Sequence, residues 1–158
     1  MSRTPYSSAR TLLALPQDPT RVGHDWLATL AEVPLFEGLS KRHLRRIAKL
    51  ARIRRFADGS AMVRIGDTGR TFYVLLDGGA KVGRPGRRPL RLGPGAFFGE
   101  MALLDDSPRS ADVVAEGEVL ALTIDRPGFT KLLRSEPALS QALLRTLAAR
   151  LRAAEATD

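Results

Sequence analysis

Glu100 and Arg109 stand nine residues apart, with Gly99 before the first and Pro108 before the second. A carboxylate ionised at neutral pH accepts hydrogen bonds and donates none, which suits it to a sugar hydroxyl. A guanidinium is a planar fork that holds two phosphate oxygens at once and sheds water more readily than an ammonium. Together they describe a site for a phosphate and a sugar within one segment. Gly99 permits a close backbone approach, and Glu100-Met101-Ala102-Leu103-Leu104 is long enough for about one helical turn whose open N–H groups would face an anion. Asp105-Asp106-Ser107-Pro108 should end that turn, because proline biases its predecessor away from the helical region. Ser110 adds a hydroxyl, and Ala111 leads into the apolar Val113-Val114. Taken alone, a Glu and an Arg at this spacing make an ordinary solvated ion pair worth about 0 to 1 kcal/mol.

The ordered pattern around them separates the two readings. Phe98 to Ala115 runs Phe-Gly-Glu-Met-Ala-Leu-Leu-Asp-Asp-Ser-Pro-Arg-Ser-Ala-Asp-Val-Val-Ala. It closely resembles the phosphate-binding cassette of the cyclic-nucleotide-binding domain family: Phe-Gly-Glu, a small apolar turn, a variable loop, then Pro-Arg-Ser/Thr/Ala-Ala and a strand. A second similarity is Gly66-Asp67-Thr68-Gly69 before Thr71-Phe72-Tyr73-Val74-Leu75-Leu76, and a third is Phe36-Glu37-Gly38-Leu39 before a helix. The two glycines of the second motif read as turn residues permitting positive φ. The resemblance covers roughly residues 34 to 154. It implies a ligand site of Gly99, Glu100, Met101, Ala102, Arg109, Ser110 and Ala111, with no catalysis. Arg109 and the cassette amides would take the cyclic phosphate, and Glu100 and Gly99 the ribose, whose 2′-hydroxyl Glu100 would require. The residue after the cassette arginine is serine in bacterial cAMP receptors of this family, so the expected ligand is cAMP, with cGMP as the alternative. The final helix would fold over the base as a lid, with the short helix before it as hinge, and signal to a separate effector protein. Bacterial transcription factors of the family carry a helix-turn-helix after that long helix, whereas this chain ends within a few residues of it, so no specific DNA binding is expected.

The 158 residues are 44% hydrophobic and 27% charged, an ordinary globular composition sufficient for one core. No apolar run approaches the roughly 18 residues that cross a bilayer, and Leu12-Leu13-Ala14-Leu15 is too short for a signal-peptide core, so a cytoplasmic protein is expected. With no cysteine and only His24 and His43, neither thiol chemistry nor a metal centre is expected, and no cofactor. The net charge of +8 comes from 21 Arg against 4 Lys, the imbalance of a GC-rich bacterial coding sequence. It raises the local concentration of anions without choosing among them.

Residues 1–24 carry Pro5, Pro16 and Pro19 and no clear period, and read as a mobile arm. The domain would occupy 25–158. Its first part, 25–51, holds a helix capped by Asp25 with Trp26, Leu27, Leu30 and Ala31 inward, then one capped by Ser40 with Leu44, Ile47, Ala48 and Ala51 inward. Short apolar segments punctuated by glycine fill 52–125, namely 61–65, 71–76, 80–83, 90–92, 111–114 and 119–124, which argues for a β-sandwich or barrel. The resemblance makes this a mainly β fold with flanking helices, an eight-stranded jelly roll with its cassette at 98–111. The hinge and lid helices would lie within 126–154, the lid carrying Leu139, Leu143, Leu147 and Leu151 as a stripe, with Arg145, Arg150 and Arg152 within reach of a base. Two rivals remain. Arg42, Arg45, Arg46 and Lys49 form a basic face on the 41–49 helix that would dock an acidic protein, or net charge alone would bind nucleic acid without sequence preference.

Overall fold

The computed structural model describes residues 20–21 and 27–156. Thr20–Arg21 (β1), expected within a mobile arm, pair antiparallel with the strand at 51–56; the rest of the arm, the Asp25 cap and Trp26 lie outside the described residues. Helix α1 spans Leu27–Ala31 and buries Leu30, and a 3-10 turn at Pro34–Phe36 buries Leu35 and Phe36. Helix α2, Lys41–Leu50, begins as anticipated: Ser40 Oγ accepts the His43 N–H at 3.4 Å, and Leu44, Ile47 and Ala48 face the core.

Strand β2 (Ala51–Phe56) follows directly, buries Ala51 and Ile53, and aligns along the C-terminal half of the strand at 112–125. β3 (Ala61–Val63) is shorter than expected, because the Ile65 N–H turns aside to the Asp112 carboxylate at 2.7 Å. The segments expected at 71–76 and 80–83 are one strand, β4 (Thr71–Gly83), bent by irregularities between Leu75 and Gly79. Gly78 makes that bend possible. It holds φ +78°, and a Cβ there would lie 2.4 Å from the Glu118 carbonyl oxygen. After β5 (Leu90–Leu92), β6 (Phe97–Phe98) and the short helix α3 (Glu100–Asp105), the last two expected segments also merge, into β7 (Asp112–Asp125).

β4 and β7 pair antiparallel from Thr71↔Asp125 to Gly83↔Asp112 and are the spine of the fold. β2 and β3 attach to β7, and β5 and β6 to β4, giving seven strands among the described residues where eight were expected. Alternation then separates two cores. Phe72, Val74, Leu76, Leu120, Leu122 and Ile124 face the helices; Tyr73, Leu75, Val113, Ala115, Val119 and Ala121 face the other side with Met62 and Phe98. The architecture is a mostly antiparallel sheet flanked by helices.

Asp125 ends β7 and caps α4 (Arg126–Ser135), its carboxylate accepting the Gly128 N–H at 2.8 Å. Helix α5 (Pro137–Ala156) buries Leu139 and Leu143, half-buries Leu147, and leaves Leu144 and Leu151 65% and 61% exposed. The leucine stripe is thus covered only over its first half. No helix of the described residues is long and apolar enough to cross a membrane.

Phe72 joins the sheet to α4: its ring stacks on Phe129 at 4.8 Å between centroids and lies 5.7 Å from Phe97, just ahead of Gly99. Phe72→Ala should cost about 3 to 5 kcal/mol of unfolding free energy in urea titrations. A loss under about 1 kcal/mol would mean that the ring is not part of the core.

Candidate functional site

β6 delivers the chain to Gly99, which holds φ +91° and caps α3 with no side-chain bond. A side chain could not replace it: a Cβ at Gly99 would lie 2.8 Å from both Arg109 Nη1 and the Thr71 carbonyl oxygen. Glu100, the first residue of α3, and Arg109 are 3% and 8% exposed, so they are not the solvated pair of the bland alternative. Nor do they pair with one another. Arg109 donates from Nη1 to the Gly99 carbonyl at 2.9 Å and from Nη2 to the Thr71 carbonyl at 2.7 Å. Glu100 Oε1 accepts from Arg150 Nη1 of α5 at 3.0 Å.

Burial pushes the Glu100 carboxyl up from its ordinary value, opposed by its own backbone N–H and then by Arg150 and Arg109. Burial also draws the Arg109 guanidinium down, although it remains a cation at neutral pH. A buried acceptor and a buried fork, fixed on one short helix and the loop after it, are the parts that a phosphorylated sugar needs.

The other predicted residues divide. Ala102 and Ala111 are buried beside Arg109's loop, while Met101 is 57% exposed and Ser110 is exposed.

Three contributors were not legible as site residues. Gly69 has no positive φ, contrary to its reading as a turn glycine, whereas Gly66 does at +88°. Gly69 is needed for space: a Cβ there would lie 2.5 Å from Ala102 Cβ and 3.3 Å from the Arg109 guanidinium. Its turn also holds the cassette arginine by the backbone, Gly66 N–H to Arg109 O and Arg109 N–H to Asp67 O, both at 2.8 Å. Thr71 supplies a carbonyl, which side-chain chemistry cannot reveal. Arg150, one of three arginines within reach, is singled out by geometry: besides Glu100 it donates to the Phe97 carbonyl at 2.8 Å and lies over the Phe97 ring at 4.4 Å.

One residue of the basic face of α2, Arg46, has an internal acidic partner. Glu136, buried at the joint between α4 and α5, accepts from Arg46 at 3.2 Å and lies 3.6 Å from His43 Nε2.

Two outcomes follow. Gly69→Ala should cost about 1 to 3 kcal/mol by overpacking against Ala102; full stability in urea would show that the contact is absent. Arg150→Ala should raise the Glu100 pKa further, since it removes a cation that lowers it. A raised folded pKa contributes stability that is complete below the unfolded value near 4.5 and is lost as pH rises through the folded pKa. Relative to the parent, the variant should lose stability as pH climbs above about 4.5 towards neutrality. A constant difference in unfolding free energy across that range would contradict it.

The cyclic nucleotide-binding domain model matches residues 53–136. A cyclic nucleotide-gated potassium channel of Mesorhizobium japonicum is 38% identical over 117 residues, 74% of this chain and 32% of the channel. A CRP-like cAMP-activated global transcriptional regulator of Mycobacterium tuberculosis is 31% identical over 128 residues, 78% of this chain and 57% of the regulator. The Thermus thermophilus catabolite activator protein superposes with a TM-score of 0.71 at 32% identity, covering 78% of this chain and 61% of that one. The chain thus spans between about a third and three fifths of these proteins' own length. With the matched region running from β2 to the joint after α4 and enclosing both buried charges, this chain belongs to the cyclic nucleotide-binding domain family.

Proposed function

We propose that the chain is a sensor of cAMP. The observation that carries the reading is the pair of buried charges on one segment, Arg109 held as a fork between two carbonyls and Glu100 held under an arginine of the final helix. The M. tuberculosis relative, described as cAMP-activated, supports the choice of ligand.

Arg109 takes the cyclic phosphate, whose single negative charge offsets the cost of holding a guanidinium away from water. Glu100 accepts the ribose 2′-hydroxyl, its carboxylate having more lone pairs than Arg150 uses. Gly99, Met101, Ala102, Ser110 and Ala111 complete the site, chiefly through the backbone. Arg150 makes α5 sensitive to what happens at Glu100: a ligand that meets Glu100 and the underside of α5 together favours one placement of that helix over others, and only such differential affinity moves an equilibrium. The output passes through α5 to a separate effector protein. In this reading no bond is made or broken in the ligand, so the domain itself performs no catalysis.

Calorimetric titration with cAMP and then cGMP at physiological salt tests this. Saturable one-site binding of cAMP is expected, with Arg109→Ala costing about 2 to 4 kcal/mol, roughly 30- to 1000-fold in affinity. Unchanged affinity in the variant would put the phosphate elsewhere. Tighter cGMP binding would replace the ligand but keep the site.

A further inference from the structure

Arg126 opens α4 and sends its guanidinium back across the cassette. Nη2 donates to the carbonyls of Gly69 at 2.6 Å and Ala102 at 3.1 Å; Nη1 bonds the Asp106 carboxylate and lies 3.5 Å from the Leu103 carbonyl. Its backbone N–H donates to the Arg70 carbonyl at 2.9 Å. Ala102 and Leu103 belong to the last turn of α3, where carbonyls have no partner further along the helix. Asp106, which brings its carboxylate to Arg126, has φ +58° and is the one non-glycine residue with positive φ among the described residues. The cassette helix is therefore gripped at both ends by the C-terminal helices, Arg150 of α5 at its first residue and Arg126 of α4 at its last turn. Arg126 also lies near enough to Arg109 for the two charges to oppose each other, so an anion at Arg109 is attracted by both.

We propose that Arg126 is a positioning residue of the nucleotide site: by pinning the end of α3 and the Gly69 turn to the first turn of α4, it makes cassette and hinge move as one body and keeps Glu100 in register with Arg150. The inference rests on the sensor reading for its purpose, but its geometry exists without ligand. A fork is needed, since a planar guanidinium reaches several fixed acceptors at once and an ammonium does not.

Arg126→Lys keeps the charge and removes the fork. In nucleotide-free protein, NMR titration of the Glu100 carboxyl should show its pKa rising towards that of Arg150→Ala, because lost register takes Arg150 off Glu100. Affinity for cAMP should fall about tenfold, within the 5- to 150-fold range of ordinary coupling, and the loss should not add to that of Arg150→Ala. A residue that merely stabilised the fold would lower the melting temperature and leave the Glu100 titration as it is. An unchanged titration with additive affinities overturns the proposal. Should the lysine variant not fold, Asp106→Asn serves: losing a nearby negative charge would by itself lower the Glu100 pKa, so a rise supports lost register, and a fall or no change overturns it. If the parent protein takes up no cyclic nucleotide while the titrations move as expected, the sensor reading fails and the coupling stands.

Discussion

Placing a carboxylate and a guanidinium away from water costs several kcal/mol per ion unless each finds a partner, and the cassette places both within ten residues. The surrounding elements are arranged as those partners. Gly99 and Thr71 present carbonyls to Arg109; Phe97 and Glu100 receive Arg150; Gly69 gives up a side chain so that Ala102 and Arg109 can pack above its backbone. These groups come from β4, β6, α3, the loop after it and α5, so this arrangement of charges exists only once distant parts of the chain have met. Neither charge neutralises the other, which leaves each with capacity for a ligand.

The paired strands β4 and β7 bring those parts together. β7 begins one residue beyond the cassette and ends at the cap of α4, while β4 begins at Thr71, whose carbonyl holds Arg109, and turns at Gly78. One face of this ladder carries the helices, and the cassette and α4, which precede and follow β7 along the chain, touch through Arg126. That contact lets a small helix and a large one share a boundary without a second layer of core between them.

Much of this was written openly in the sequence. Phe98 to Ala115 identified the cassette, and Ser40 caps its helix as its position suggests, because local chemistry decides such features. β2 escaped notice because its sequence, Ala-Arg-Ile-Arg-Arg-Phe, is half arginine, and its register is imposed by β7. The breaks expected inside β4 and β7 are bulges, since glycines at 78 and 79 read as turns when the partner strand is invisible. Gly69 was assigned the wrong reason for being glycine, and Arg126, Arg150 and Thr71 could not be distinguished from other residues of their types. Those roles depend on long-range approach, which no local pattern records.

Beyond Leu143, α5 leaves Leu147 half-covered and Leu144 and Leu151 facing solvent, and Arg150 ties this stretch to the roll through Glu100 and the Phe97 carbonyl. Helix ends with few buried contacts open at low free energy, far below that of global unfolding. The outer turns of α5 are therefore held on the roll in part by one arginine, and motions of such a segment fall on the microsecond to millisecond scale rather than the seconds of a domain unfolding. If, as proposed, the nucleotide lies between Glu100 and α5, the hold of one guanidinium on Glu100 contributes to how long it stays there.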